Sequence, residues 1–320
     1  MAELIKGSLV ASHLRHQVRK DVAALRAGGV EPCLAVCLVG DDPASQIYVQ
    51  RKQQACAVVG IKSVRVDLPA GVAQAELDQL ICRWNANPAI HGILVQLPLP
   101  AQIDRFAVLD GIDPGKDVDG TGSVNMGGLI HGSARFWPCT PAAIIELFKY
   151  HGVATCGKHV VIVNRSIVVG LPLAALLVQD HEFGNATVTL CHEHTREIER
   201  ICRGSDIVVV AVGKPEQFTL RGSMVKRGAV VVDVGITRNG RRLTGDVAFD
   251  EVAAKASLIT PVPGGVGPCT IAMLLKNTVQ AARPVGPHPL LSPSPNPGGR
   301  RRSGVVRSVA GPVNPAAASP

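Results

Sequence analysis

Two successive series of short apolar runs, each alternating with helix-length periodic segments, constrain this chain more than any other feature. In the first, Leu9, Val10, Leu14, Val18, Val22 and Leu25 recur at three- and four-residue steps, predicting a helix stopped by Gly28-Gly29. Cys33 to Val39 reads as a buried strand. Asp42 reads as an N-cap with Pro43 in the first helical position, and that helix runs to Val59 before Gly60. Val64–Leu68 and Ile90–Leu97 read as strands flanking a helix over Ala73–Asn87. After a polar, turn-prone stretch from Asp113 to Gly132, read as a long loop, a helix is expected over Pro141–Tyr150.

The second series has strands at His159–Val163, Ala186–Cys191, Asp206–Val212, Ala229–Val234 and Leu258–Pro261. Its helices are Pro172–Asp180, Arg196–Arg203, Glu251–Ala256 and Thr270–Ala282. Such alternation predicts an α/β fold with parallel sheets covered on both faces, here as two α/β domains with a cleft between them. The second is read as a Rossmann-like dinucleotide-binding domain. The expected division is 1–140, completed by the helix 270–282, then 141–269, then a tail 283–320.

Composition narrows the function classes. Hydrophobic residues are 46% of the chain and aromatics 3%, so the cores must rest on aliphatic side chains. The longest relevant apolar stretch, Ile167 to Val178, is interrupted by Gly170 and Pro172 and falls short of the roughly 18 residues of a membrane span. Nine scattered cysteines without a C-x-x-C pair fit a reducing compartment, and a cytoplasmic location is expected. Cys33, Cys37 and Cys82 lie in apolar runs and read as small hydrophobes. The net charge of +8 is misleading, since five of the arginines and none of the acids lie in 283–320. That segment also holds nine of the 23 prolines and reads as disordered. Nucleic acid and membrane are not expected as partners.

Several positions carry chemistry. Tyr48 and Lys52 are four apart on one helix and share a face. Gln96 ends a strand, where α/β folds bind ligands. Asp117 and Asp119 lie in the polar loop, too few to define a metal site, and no metal is expected. Asn164-Arg165-Ser166 follows a strand and precedes a helix, the context of a dinucleotide site without the G-x-G-x-x-G spacing. Glu193 ends the next strand, where a carboxylate hydrogen-bonds a ribose 2′-hydroxyl and repels a 2′-phosphate. His192 and His194 read as solvated loop histidines. The run Thr260 to Thr270, dense in Gly and Pro, opens a helix and lets backbone approach a ligand.

Taken together, the segments Asp41–Lys52, Gly92–Pro98, Pro114–Gly120, Pro138–Pro141, Arg165-Ser166 with Val169-Gly170 and Pro172, Asp233–Ile236, Gly245–Val247 and Thr260–Gly267 resemble one family. It is the bifunctional methylenetetrahydrofolate dehydrogenase/methenyltetrahydrofolate cyclohydrolase (FolD) family, and the resemblance covers residues 1–282. It implies oxidation of 5,10-methylenetetrahydrofolate to the methenyl form with NADP or NAD, then hydrolysis to 10-formyltetrahydrofolate. It also implies a homodimer with tetrahydrofolate derivatives as ligands. By motif position, Lys52 is the catalytic lysine, Gln96 orients it, and Tyr48 flanks the folate. Asp119 anchors the pterin, and Pro263, Gly264 and Gly265 line the pterin and nicotinamide region. Asn164, Arg165, Ser166, Glu193, Thr195 and Ile236 fall to the dinucleotide.

Three departures lie in the cofactor half. Asn164 stands where the family usually has Gly, and its tolerance of left-handed backbone is expected to preserve the turn. Leu171 replaces a position often polar. Glu193 replaces a small polar residue, which predicts a weakened preference for NADP. Two alternatives follow: a cyclohydrolase with an impaired or NAD-preferring oxidation step, and a non-catalytic binding protein acting through its basic tail.

Overall fold

In a computed structural model of the protein, residues 2–240 and 242–283 are described; the tail expected to be disordered lies, from residue 284, outside them. The chain begins with β1 (Glu3–Leu4) and α1 (Gly7–Ala27), followed by β2 (Cys33–Val39), α2 (Pro43–Val59), β3 (Lys62–Leu68), α3 (Gln74–Ala86) and β4 (Gly92–Val95). Helices α4 (Arg105–Gly111), α5 (Ser123–His131) and α6 (Cys139–Tyr150) come next. The second series is β5 (His159–Val163), α7 (Gly170–Val178), β6 (Thr187–Cys191), α8 (Ile198–Arg203), β7 (Ile207–Val210) and β8 (Val230–Asp233). A hairpin of β9 (Thr237–Asn239) and β10 (Arg242–Thr244), then α9 (Phe249–Ala253), β11 (Leu258–Ile259) and α10 (Val266–Ala282), complete it.

Two parallel sheets result. One has the order β3-β2-β4, the other β1-β11-β8-β7-β5-β6. All seven residues of β2 are buried, as a central parallel strand covered on both faces requires. Helices α1, α6 and α10 pack on one another. They share one core with Leu34, Val36 and Leu94 of the small sheet and Val160, Val209 and Val232 of the large one. A second core under the small sheet joins Cys37 and Ile93 to Leu77, Ile81 and Val108 of α3 and α4. A third covers the other face of the large sheet with Cys202 and Val252. The helix ends follow from local chemistry: the Asp42 carboxylate accepts from Ser45 N at 2.8 Å, and Gly60 at φ 85° closes α2.

The structure corrects the expectation of a loop over 113–132. Its second part is α5, whose N-terminus is capped from outside: Asp110 accepts from Ser123 N at 2.8 Å and from Ser123 Oγ at 2.9 Å. Helix α4 and the β9–β10 hairpin also form where no element was predicted. The N-terminal residues Glu3 and Leu4 pair with β11 and so extend the large sheet. Cys82 is exposed, not packed, because it falls on the outer side of α3 while its neighbours Leu80 and Ile81 face inward. All nine cysteines are free. Among the described residues, no helix is long and apolar enough to cross a membrane.

Candidate active site

The C-terminal ends of β8 and β11 open on a cleft, with α2 forming one wall. Tyr48, Arg51, Asp233, Ile236 and the segment Pro261–Pro268 line a cavity of about 350 Å³ there. Gly264 sits at φ 104°, a backbone region that favours glycine. Gly265 packs so tightly on Gly7 at the start of α1 that a Cβ on Gly7 would lie 1.8 Å from Gly265 O. The predicted residues Tyr48, Pro263, Gly264, Gly265 and Ile236 therefore lie around one space.

One turn of α2 beyond Tyr48, Lys52 Nζ donates to Gln96 Oε1 at 2.9 Å. Gln96 is held on both sides: its backbone N donates to Cys37 O at 2.8 Å, and its Nε2 donates to Leu97 O at 2.7 Å. The second bond turns the amide oxygen toward the lysine. Burial pushes the Lys52 ammonium below its ordinary range, and the Asp119 carboxylate facing it offsets part of that shift. Burial also raises the Tyr48 hydroxyl, against the smaller effect of Arg51.

The two carboxylates of the 113–120 motif differ in surroundings. Asp117 is buried and accepts from Gly120 N at 3.1 Å, Gly122 N at 2.9 Å and Asn125 Nδ2 at 2.9 Å. Ile93 N donates to Lys116 O at 2.8 Å, stitching this segment to the edge of β4. Lys116 in turn donates to the carbonyls of Trp84, Asn85 and Asn87 at the end of α3. The loop is thereby fixed, and Asp119 is left to face Lys52.

Sequence reasoning gave no role to Cys139 and Asn277, which complete this cluster. The Cys139 thiol donates to Val118 O at 3.4 Å, and burial and the neighbouring Asp119 push it well above the ordinary thiol range. Asn277 Nδ2 donates to Val118 O at 2.9 Å and Trp137 O at 3.1 Å, tying α10 to the Asp119 segment. An amide on the buried face of α10, beside the buried Thr278, was the available signal.

A second cavity, of about 580 Å³, opens at the ends of β5, β6 and β7. It gathers Asn164, Arg165, Ser166, Glu193 and Thr195 with Lys214 and Phe218; Ile236 stands in the first cleft instead. Its lining combines cationic and hydroxyl groups with apolar Val212, Ile198 and Phe218, a mixture suited to the phosphates and the base of a dinucleotide. The Asn164 turn survives by a different route from the one expected. Among the described residues, Asn185 and Glu197 are the non-glycine positions with positive φ, so Asn164 does not use left-handed backbone. Its Oδ1 accepts from Ser166 N at 2.8 Å, Ser166 Oγ at 2.7 Å and Gly170 N at 2.9 Å, and its Nδ2 donates to Ala211 O at 2.6 Å. Arg165 and Glu193 form an ion pair across the mouth. Thr195 Oγ1 accepts from His192 N at 2.8 Å, closing the neighbouring turn. Leu171 is exposed.

Comparison with known proteins places these two cavities in context. Residues 5–119 match the family model described as the catalytic domain of tetrahydrofolate dehydrogenase/cyclohydrolase, and residues 138–285 match its NAD(P)-binding domain. The chain belongs to the tetrahydrofolate dehydrogenase/cyclohydrolase family. The bifunctional protein FolD of Moorella thermoacetica is 52% identical over 283 residues, covering 88% of this chain and 99% of the relative. The crystal structure of bifunctional FolD from Campylobacter jejuni superposes with a TM-score of 0.83 at 44% identity, over 88% of this chain and 99% of that one. The Trypanosoma brucei enzyme, solved with NADP cofactor and inhibitor, has a TM-score of 0.82 at 42% identity, over 88% and 97%.

The buried Asp233, which lines the first cavity, is a further group that the sequence motif contained without an assigned role. Its carboxylate accepts from Asp246 N at 3.0 Å, Val247 N at 3.2 Å and Gly235 N at 3.2 Å. Burial pushes it up to about 7 from an ordinary 3.8, against those hydrogen bonds. Between these values the folded chain holds a proton that the unfolded chain has released, so this group's contribution to stability falls as pH rises from about 4 to about 7. Asp233→Asn is expected to flatten that part of the pH dependence of Tm. Thermal melts at pH 5, 6, 7 and 8 read it, and an undiminished slope in the variant rejects it.

Proposed function

We propose that this chain oxidises 5,10-methylenetetrahydrofolate to the methenyl form with NAD(P) and hydrolyses the methenyl form to 10-formyltetrahydrofolate. The observation that carries this is the Lys52 Nζ–Gln96 Oε1 bond of 2.9 Å, facing Asp119 beside the Tyr48 and Pro263–Gly265 cleft. The folate belongs to the unit of residues 1–140 completed by 270–282, and the dinucleotide to 141–269. The dinucleotide supplies the hydride acceptor. The chain's own task in that step is to hold the one-carbon bridge against it, with Tyr48 on one side and Pro263, Gly264, Gly265 and Ile236 on the other. Asp119 offers two acceptor oxygens to the amino and ring N–H edge of the pterin.

Hydrolysis of the methenyl cation needs a group that takes a proton from water and returns one to the departing ring nitrogen. Lys52 does both. Its lowered pKa raises the fraction of neutral amine, and the uncharged Gln96 orients it without opposing that shift. Methylenetetrahydrofolate supplied with NAD or NADP tests the whole reading: methenyl absorbance should rise and then decay. No rise with either cofactor removes the oxidation step, and no decay of supplied methenyl substrate beyond the uncatalysed rate removes the hydrolysis.

Arg165, Ser166, Thr195 and Asn164 hold the dinucleotide, and Glu193 sets its preference. The Arg165–Glu193 pair supports a weakened preference for NADP, because the guanidinium that would meet a 2′-phosphate is already engaged. Glu193→Ser is expected to raise kcat/KM for NADP relative to NAD by roughly three- to tenfold, the scale of an exposed ion pair. Steady-state kinetics with both cofactors check this, and an unchanged ratio excludes the role. The working unit is a homodimer. In support, among the described residues β6 has a partner strand on one side only, and the adjoining α7 exposes Leu171 and Val178. Free thiols throughout the described chain support a cytoplasmic location.

A further inference from the structure

One buried carboxylate, used by neither reaction step, bonds to segments that line both cavities. Asp246 follows β10 and is fully buried. Its Oδ2 accepts from Val212 N at 2.7 Å and from Gly213 N at 2.9 Å. Val212 and Lys214, on either side of Gly213, line the dinucleotide cavity. The backbone N of Asp246 donates to Asp233 Oδ1 at 3.0 Å, and Asp233, Val234 and Ile236 line the folate cleft. The two acids interlock through glycines. A Cβ on Gly235 would strike the Asp246 carboxylate, and one on Gly245 would strike the Asp233 carboxylate.

The loop after β7 is shaped around this group. Gly213 sits at φ 67°, a left-handed backbone that turns successive N–H groups toward one point and makes a concavity for an anion. The Asp246 carboxylate fills that concavity, so the dinucleotide phosphates fall to Arg165 and Ser166 instead. Two more bonds hold the same loop. Asn164 Nδ2 donates to Ala211 O at 2.6 Å, and Thr237 Oγ1 donates to Gly213 O at 3.0 Å. The first comes from the turn assigned to the dinucleotide, the second from the residue after Ile236. Burial raises the Asp233 and Asp246 carboxyls above their ordinary range, against the backbone N–H groups that bond them. Apolar side chains would clamp the chain here without that penalty. What the acid provides and they could not is a directed hold on the N–H groups of a partly exposed loop that walls a ligand cavity.

We propose that Asp246 is a positioning residue for hydride transfer: it fixes the loop 211–214 against the segment Asp233–Thr237, so that a dinucleotide lying on that loop meets the folate beside Ile236. This rests on the reaction proposed above. A shift of about 1 Å can cost about 10²-fold in a step that depends on aligning two rings. Asp246→Asn keeps one acceptor oxygen and sets an N–H against the other loop donor. It is expected to lower kcat for oxidation by roughly 10- to 100-fold and to raise KM for NAD and NADP by roughly threefold or more. Hydrolysis of supplied methenyltetrahydrofolate, assayed without dinucleotide, should keep its wild-type rate. Gly213→Ala leaves Asp246 in place and puts its Cβ in open space, but disfavours the left-handed backbone of the loop. The same split between the two activities is expected there, and it carries the test where Asp246→Asn folds poorly. Equal losses of both activities in the two variants, as a general weakening of the fold would give, overturn the proposal, as does full oxidation in either folded variant. If the wild-type chain oxidises no methylenetetrahydrofolate, the reaction itself fails. Calorimetric Kd values of NAD and NADP for the wild type and Gly213→Ala then test the hold on the loop, and equal values overturn it.

Discussion

Lys52→Met is expected to lower hydrolysis of methenyltetrahydrofolate by about 10³-fold while leaving a much larger share of the oxidation step, because a positioned acid–base group contributes about 10²–10⁴-fold to a proton-transfer step. Methionine preserves the length and apolar stem of the side chain but cannot carry a proton. The water that adds to the methenyl carbon then loses its base, and the ring nitrogen that departs loses its acid. Hydride transfer needs no proton from this position; it needs the two rings held together, and Tyr48 and the Pro263–Gly265 segment still do that. The signature is therefore accumulation of methenyl absorbance from methylenetetrahydrofolate and NAD(P), where the wild-type enzyme passes it on. Unchanged formyl production in this variant would exclude Lys52 as the proton carrier. Gln96→Leu gives a milder form of the same defect, since it removes the acceptor 2.9 Å from Nζ but leaves the amine.

The pairing of Tyr48 with Lys52 was legible because α2 declares itself locally. Asp42, Pro43 and Gly60 mark its ends, so the four-residue spacing could be read as a shared face. Gln96 was legible as the residue after a buried strand. The surroundings of Asp119 were not, because they depend on contacts remote in sequence: Cys139 and Asn277 are 138 residues apart and meet at the same segment. The α5 helix escaped notice for a related reason. Gly127 and Gly128 lower its intrinsic preference, while its compensation is tertiary: Asp110 caps it, and Gly128 packs so closely that a Cβ would lie 2.9 Å from Ala134 Cα. Strand β1 is two residues long and its partner lies across the whole chain, which no local pattern can announce. Cys82 is the opposite case. The helical period of α3 already placed it outward, and reading its apolar neighbours as a run obscured that.

Asp119→Asn should separate the pterin anchor from the proton carrier, because it is expected to impair both activities together. The carboxylate offers two acceptor oxygens to the pterin's donor edge; the amide offers one and sets an N–H against the other donor. Losing a charge-assisted pair costs about 1.5–3 kcal/mol, which is roughly a 10- to 150-fold loss in kcat/KM. Both reactions bind the same pterin, so both should fall by similar factors, unlike the divided outcome at Lys52. A second effect has a definite sign. Asp119 is the largest of the influences that raise Lys52 against the lowering caused by burial. Removing its charge lets burial act with less opposition, so the Lys52 pKa moves further down and the acidic limb of the hydrolysis profile shifts to lower pH. The oxidation profile has no such limb from Lys52 and should keep its shape. Measuring kcat/KM for both reactions from pH 5 to 9 in the variant checks the two effects at once. A loss confined to hydrolysis would place Asp119 in service of the lysine alone and not of the pterin. An acidic limb that moved upward would mean that its charge does not reach Lys52 in the working enzyme.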